Sequence, residues 1–378
     1  MPLDTGAICN SFNVEIVYLE NGAEVEAVRP QWQELERHGI STVFQSEAWL
    51  LPWCRLISPK IRAGVIFITV RDGSGRVTMF LPLCLRRSHG LSIVEFADGG
   101  LADYAAPLMA KELAADDFQQ IWETILGRLP KTDLIRFEKL PGHVAGYTNP
   151  ITLLPWVHKM DNFAAWGVSL PSCRGDYDKT VRSRDKKEIR RKRKNLIEAL
   201  GDISLIHGNT GSEKRHIFDT LRSHRRARFG KLNRFDILND PDYLQFYEEQ
   251  VMGSGVAVVS ALKAGDKLIA TMLGVYYQNA YLLLMHSFDS GVESLSPGIV
   301  AIDEMTSYLI GKGTTYFDFT IGSESYKKQF GVNKSSIYTG TLARSLKGML
   351  YLSAYRFTYA VYQKLKRFKP YLAFRKTR

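Results

Sequence analysis

The chain has 378 residues, 45% hydrophobic and 24% charged, a globular composition on a length that exceeds one core, so two domains are expected. Cys9, Cys54, Cys84 and Cys173 lie far apart, with no CxxC and no histidine at ligand spacing, which argues against disulfides, structural zinc or any other metal site and for a reducing compartment. The net charge of +11 is local: residues 174–194 carry +7 and residues 347–378 carry +9, leaving −5 elsewhere, so anionic partners are expected at two segments and not over the whole body.

The opening MPLDTGAICNSF has neither a basic nor an apolar leader region, and no window reaches the ~18 apolar residues of a spanning helix. A cytoplasmic protein is the expectation. Alternation of Val14, Ile16 and Tyr18 predicts a strand over 12–19. Residues 26–38, with Pro30 near the start and Gly39 after the end, read as a helix. Trp49, Leu50, Trp53 and Leu56 share one face of a helix over 46–57, and the two tryptophans read as core or domain-interface packing. Strands over 65–71 and 76–86 flank Asp72-Gly73-Ser74-Gly75, a hairpin signal, and a third covers 91–96. A helix over 113–129 and a strand over 132–138 follow.

Residues 143–172 hold Pro150, Pro155 and Pro171 with little periodicity and read as the passage between halves. Residues 178–200 read as one helix with a thin apolar stripe and a solvated basic face. The first order then recurs: strands over 256–263, 267–277 and 280–288, a helix through Ile299 to Ile310, and a strand over 315–319. The recurrence is spaced about 190 residues, one domain length. From Leu346, an apolar and tyrosine-rich helical face is followed by Lys364, Lys366, Arg367 and Lys369; it suits either an anionic membrane surface or docking on the protein body.

The densest chemistry lies in GKGTTYFDFTIGSESYKKQFG, residues 311–331. Alternation sets Asp318 opposite Phe317 and Phe319, Gly322 breaks the strand, and Glu324, Tyr326 and Lys327 fall in a short helical turn ending near Gly331. Asp318 or Glu324 is a candidate base and Tyr326 a candidate acid. His224, within LRSHRRARFGK beside Arg222, Arg225, Arg226 and Arg228, is a second candidate base. His286 reads as a buried residue of its strand. At Leu295-Ser296-Pro297-Gly298, a Ser N-cap, a Pro at the first helical position and a Gly open to close approach make a helix start suited to pyrophosphate.

The run FDFTIGSESYKKQFG, with Ser296-Pro297-Gly298, resembles the C-terminal signature of the CelD/BcsL-type acetyltransferases of the GNAT superfamily, which are similar to FemAB-type aminoacyltransferases. Phe44-Gln45 through Trp49, Leu81-Pro82-Leu83, Asp103-Tyr104, and His224 with Arg228-Phe229 carry the resemblance along the chain. It implies an α+β fold of tandem GNAT-like domains with mixed, mostly antiparallel sheets: residues 1–168 on the acceptor side, 169–345 carrying donor and catalysis, and a basic amphipathic helix over 346–378. It implies acyl transfer, most simply of acetyl from acetyl-CoA, to a sugar, amino-sugar or amine acceptor in envelope or exopolysaccharide synthesis. It assigns the donor to Ser296, Pro297, Gly298, Ile299 and Val300, and the acceptor side to Asp103 and Tyr104. By residue chemistry Arg228 and Lys327 join the substrate side, Arg228 as part of an anion-attracting cluster and Lys327 as a point charge suited to a phosphate of acceptor or donor. The superfamily's usual Gly-rich donor loop is absent, which keeps two other readings open. One is transfer from aminoacyl-tRNA, with residues 174–194 on RNA phosphates; the other is a non-catalytic partner of a membrane polysaccharide synthase.

Overall fold

The computed structural model describes residues 12–19, 22–253 and 255–373, with backbone alone at 22–24, 162, 359–360 and 362–373. The leader reading of residues 1–11 and the side chains of Tyr359, Tyr362, Lys364, Leu365, Lys366, Arg367, Phe368 and Lys369 lie outside the described residues.

The first half runs β1 (Asn13–Leu19), α1 (Gly22–His38), α2 (Glu47–Pro52), α3 (Ser58–Lys60), β2 (Ala63–Arg71), β3 (Val77–Ser88), β4 (Leu91–Phe96), β5 (Leu108–Met109), α4 (Ala115–Arg128), β6 (Leu134–Pro141), a hairpin of β7 (His143–Val144) with β8 (Tyr147–Thr148), and β9 (Val157–Ser169). The second half runs α5 (Arg174–Thr180), α6 (Ser183–Leu200), β10 (Ile203–His207), α7 (Gly211–Lys231), α8 (Pro241–Gly253), β11 (Ala257–Ala264), β12 (Lys267–Tyr277), β13 (Ala280–Phe288), α9 (Pro297–Gly311), β14 (Tyr316–Ile321), β15 (Asn333–Ala343) and α10 (Leu346–Ala373). The repeated order expected from the sequence is therefore present as β2-β3-β4-α4-β6 and β11-β12-β13-α9-β14.

One sheet joins the halves, in the order β1-β2-β3-β4-β6-β15-β9-β14-β13-β12-β11-β10. Its middle is an exchange: β15, the last strand of the second half, pairs β6 of the first, and β9 of the first pairs β14 of the second. The ladder is antiparallel except where β4 meets β6 and β13 meets β14. Those two parallel contacts are short, two register pairs in the first half and three in the second. Beyond them the strands part.

Two sequence expectations are corrected here. The passage over 143–172 contains the 13-residue strand β9. Its Pro150, Pro155 and Pro171 flank the strand without interrupting it, and it has no clean period-2 alternation because its first part is exposed at His158, Lys159 and Asp161 while Ala164, Ala165, Gly167 and Val168 are buried. The single basic helix is two, because Val181, buried at 5% exposure, takes an extended conformation (φ −87°, ψ 134°) between α5 and α6.

One apolar core crosses the halves: Trp32, Trp49, Trp53, Phe67 and Phe80 lie with Phe218, Phe246 and Val259. Trp49 meets Phe246 edge-on at 5.1 Å, so this tryptophan is interface packing. Two further cores lie mainly in one half each, with Val168 of β9 in the second-half core and Tyr338 and Leu342 of β15 packed against the first-half core. No helix among the described residues is long and apolar enough to cross a membrane. Ser345 Oγ donates to Asp133 Oδ1 at 2.6 Å and fixes the start of α10. Farther along, Leu350 and Phe357 are 65% and 71% exposed, so this face of α10 is not docked on the body.

Candidate active site between the halves

The second-half core takes Phe317 and Phe319, which leaves Asp318 on the opposite face, toward the first half. There the hydroxyl of Tyr104 donates to both of its oxygens, at 2.8 and 3.0 Å, and the Thr320 N–H donates at 2.7 Å. Thr320 supplies that N–H because it sits in the left-handed region, φ 56°. Burial pushes Asp318 up to about 7; the bonds from Thr320 and Tyr104 hold it down only in part, and Asp103 adds to the rise. Asp103 is pushed up to about 6, again by burial, against the pull of Lys139 and the Thr320 hydroxyl. Asp103-Tyr104 and Asp318, 214 residues apart between Tyr104 and Asp318, thus form one site.

Lys327 and Glu324 close the end of this site. Lys327 Nζ is 3.1 Å from the Ile321 carbonyl, 3.5 Å from that of Thr320 and 3.1 Å from Glu324 Oε2, and the side chain is 4% exposed. Its three N–H groups are therefore committed within the protein. Gly322 is required for this closure: φ is 151°, and a Cβ would lie 2.1 Å from Glu324 Oε2 and 2.7 Å from Lys327 Nζ. Trp166 of β9 donates to the Gly322 carbonyl at 2.9 Å.

On the other face of the sheet, at the same open end of β13 and β14, lies the start of α9. Ser296 occupies the N-cap position but in the left-handed conformation (φ 56°, ψ 47°), and its side chain makes no cap bond, unlike the expectation. No acidic residue stands in the first turn. Of the N–H groups at this start, that of Ser296 donates to the Glu293 carbonyl at 2.9 Å and that of Ile299 to the Ser296 carbonyl at 3.1 Å. Pro297 has none, so the helix start offers an anion the Gly298 N–H and its positive dipole end. Val300 is fully buried in the core, and its N–H is directed to the Ser296 carbonyl at 3.4 Å. Gly298 is glycine because His286 occupies the space: a Cβ would fall 2.3 Å from His286 Nε2. The His286 ring lies 6.0 Å from Phe288 and 5.8 Å from Tyr326, and burial with Arg228 nearby lowers its pKa to about 4. Burial and Glu324 raise the Tyr326 phenol, which stays protonated at neutral pH.

The predicted arginine cluster is divided by the fold. Arg225 is bound to buried Asp236 at 2.6 Å, and Arg222 lies 3.5 Å from Asp219 and 3.9 Å from Glu248. Arg228 has no ion pair among the described residues and lies over the Phe288 ring, 5.4 Å from its centroid. His224 is held elsewhere, on α7 against the Thr271 hydroxyl of β12 at 3.3 Å. The basic run of α5 and α6 is largely paired with its own and neighbouring acids, including Arg174 with Asp178 and Asp303, Arg182 with Asp185, Lys192 with Glu188 and Arg193 with Glu304. Among the described residues no group of three or more metal-ligating side chains is placed to hold an ion.

Sequence reasoning missed Thr320 and Lys139. Both are non-glycine residues with positive φ, 56° and 57°, on the equivalent strands β14 and β6, and no composition signal marks such a kink.

Residues 183–328 match the family described as Acetyltransferase (GNAT) domain. No curated protein matches the chain in sequence. Among solved structures, a conserved protein of unknown function from Bacteroides thetaiotaomicron is similar with a TM-score of 0.54 at 11% identity, over 87% of this chain and 100% of its own. FemX is similar with a TM-score of 0.54 at 10% identity, over 86% of this chain and 96% of its own. The C-terminal domain of an Agrobacterium fabrum protein described as a lysylphosphatidylglycerol synthetase has a TM-score of 0.50 at 13% identity, covering 87% and 95%. At these identities the likeness is one of fold, and the duplicated order of elements gives that fold its tandem GNAT-like form.

Proposed function

We propose, from the premise that this chain is an acyltransferase of the GNAT fold, that it moves an acetyl group from acetyl-CoA to a hydroxyl or amine of a sugar, amino-sugar or amine acceptor. Asp318 carries the reading: a carboxyl held near neutrality at the point where β13 and β14 part, opposite an uncapped helix start. Beyond Leu282 and Asp318 the two strands have no mutual register pairs. Their free edges fit a linear, amide-bearing chain such as pantetheine. The α9 start formed by Ser296, Pro297, Gly298, Ile299 and Val300, through the Gly298 N–H and the positive dipole end, with Arg228, would hold the pyrophosphate.

In this scheme Asp318 takes the proton of the attacking hydroxyl or amine, with Tyr104 orienting the carboxylate. The new acyl bond forms as the carbon–sulfur bond breaks, and Tyr326 gives its proton to the departing sulfur. Asp103 lies on the acceptor side, and Lys327 with Glu324 positions the loop that carries Tyr326. Glu324 and His224 are the remaining alternative bases. We assign residues 1–168 to the acceptor side, 169–345 to donor and catalysis, and 346–378 to the terminal helix; the exchange of β9 and β15 means that neither half carries a complete sheet alone. Membership of the CelD/BcsL type, and with it a role in envelope or exopolysaccharide synthesis, is supported by the FDFTIGSESYKKQFG resemblance.

Calorimetric titration with acetyl-CoA and desulfo-CoA tests the donor. Micromolar binding that weakens in Arg228→Ala is the expected result. No binding to either, with salt-sensitive tRNA binding instead, would replace the donor by aminoacyl-tRNA; neither would leave a non-catalytic partner. The pairing of the α5–α6 basic run with its own acids speaks against an RNA surface there.

The exposed apolar face of α10, on a segment with nine basic residues and no acidic one, fits an anionic membrane surface. Leu350→Glu with Phe357→Glu should abolish co-sedimentation with phosphatidylglycerol vesicles while leaving acetyl-CoA binding intact. Unchanged sedimentation would rule the anchor out.

A further inference from the structure

We propose that the splay between β4 and β6, the first-half counterpart of the β13–β14 opening, is a binding cleft for a hydroxyl-rich, net-neutral ring: a glycosyl unit of the acceptor. The two strands pair only through Ile93–Leu134 and Val94–Ile135, and past that point they line a cleft of about 390 Å³. That volume suits one or two sugar rings.

The duplication suggests a second donor site here, but the chemistry excludes it. The helix that follows, α4, begins after Ala114, which has no side-chain cap, and places Asp116 and Asp117 in its first turn. Two carboxylates at a helix start repel a pyrophosphate, where the α9 start has none.

The cations lining the cleft, Arg86, Arg136 and Lys139, are already matched. Glu95 bridges Arg86 at 2.7 Å and Arg136 at 2.6 Å. Lys139 Nζ donates to Asp98 at 2.9 Å and to the Ala102 carbonyl at 2.6 Å. A free anion therefore finds no unpaired cation in this wall, and an apolar ligand would desolvate ion pairs without replacing their water. Vicinal hydroxyls meet both needs, since each accepts from a guanidinium N–H and donates to a carboxylate lone pair. Glu138 adds an exposed carboxylate that makes no hydrogen bond or ion pair among the described residues. From the second half, Tyr243 of α8 brings a ring to the wall, held by its hydroxyl donating to the Gly99 carbonyl at 2.8 Å. A flat aromatic face beside planar charged groups is complementary to a pyranose.

The cleft also lies in the right place. Lys139 lines it and donates to the carbonyl of Ala102, the residue before Asp103, so a ring seated here stands near the Asp103–Asp318 pair. The direction in which its nucleophile points rests on the acyl-transfer reading; occupancy of the cleft does not.

The test is titration of the full chain with neutral disaccharides (maltose, cellobiose, lactose), inorganic phosphate and putrescine, read by ligand-observed NMR. At least one disaccharide should bind, and Glu138→Ala and Tyr243→Leu, which removes the aromatic face, should each weaken it, Glu138→Ala by about tenfold for a lost hydrogen bond to a charged group. Acetyl-CoA affinity should be unchanged in both variants. Glu138 is exposed, so its variant folds and gives a clean reading. No disaccharide binding, binding untouched by Glu138→Ala, or preferential binding of phosphate or putrescine would each overturn the proposal. Loss of acetyl-CoA binding in the native protein would instead sink the donor reading and leave this one standing.

Discussion

Replacing Asp318 by Asn should lower the acyl-transfer rate at pH 7 by about a hundredfold or more, the usual weight of a positioned base, with acetyl-CoA affinity essentially unchanged. Asn keeps the shape and the bonds from Tyr104 and the Thr320 N–H but takes no proton. Burial sets Asp318 at about 7 in the folded chain against 3.8 for the free group. Between those values the folded state holds more protons than the unfolded one, so stability falls as pH rises through that window and then levels. Asp103, raised to about 6, adds to the same slope. Asp318→Asn should accordingly flatten the dependence of Tm on pH between about 4 and 7 and cost no stability at pH 8. Tyr104→Phe gives the complementary result. It removes an O–H donor that favours the charged carboxylate, so the alkaline-rising limb of the rate profile should move to higher pH while the maximum rate survives in part. The groups that face this carboxyl are Asp103, Tyr104, Tyr316, Thr320 and Lys327. A full rate in Asp318→Asn, or a Tyr104→Phe profile that does not move, would place the base elsewhere, with Glu324 next to be tested.

The second large effect is expected at Gly298. An added Cβ would meet His286 Nε2 at 2.3 Å and Phe288 at 3.1 Å, and the ring, packed beside Phe288 and Tyr326, has little room to yield. Gly298→Ala should displace the α9 start, cost about 1–3 kcal/mol of stability and weaken acetyl-CoA binding by about tenfold or more. Gly298→Ala combined with His286→Ala separates the causes, because it restores the space without restoring the glycine. Recovery of both stability and donor affinity would show a steric effect on the helix start. Unchanged donor affinity in Gly298→Ala would move the phosphate site away from α9.

Much of the site was legible because it is local. The alternation TTYFDFT puts Asp318 opposite two phenylalanines that the core requires, and SPG fixes a helix start through Pro297. The signal was weaker wherever a residue's partner lay far away. Lys327 reads as a phosphate ligand in sequence, yet backbone carbonyls and Glu324 take its protons. Ser296 reads as a cap, yet its backbone turns left-handed and no cap forms. The basic run of residues 174–194 reads as an anion surface, yet Asp303 and Glu304 of α9 pair with Arg174 and Arg193.

By itself the sequence determined the repeated order of elements, the short-range geometry of the loop over 311–331 and the basic terminal helix, since periodicity, glycine placement and charge act over a few residues. The tertiary structure alone decided the exchange of β9 and β15 and the meeting of Tyr104 with Asp318. It also decided the raised pKa of that carboxyl and the contrast between an uncapped helix start in one half and a charge-paired cleft in the other. Each of these depends on burial or on contacts between residues remote in the chain, and the free energy of a buried charge is set by what surrounds it in space, which no stretch of sequence contains.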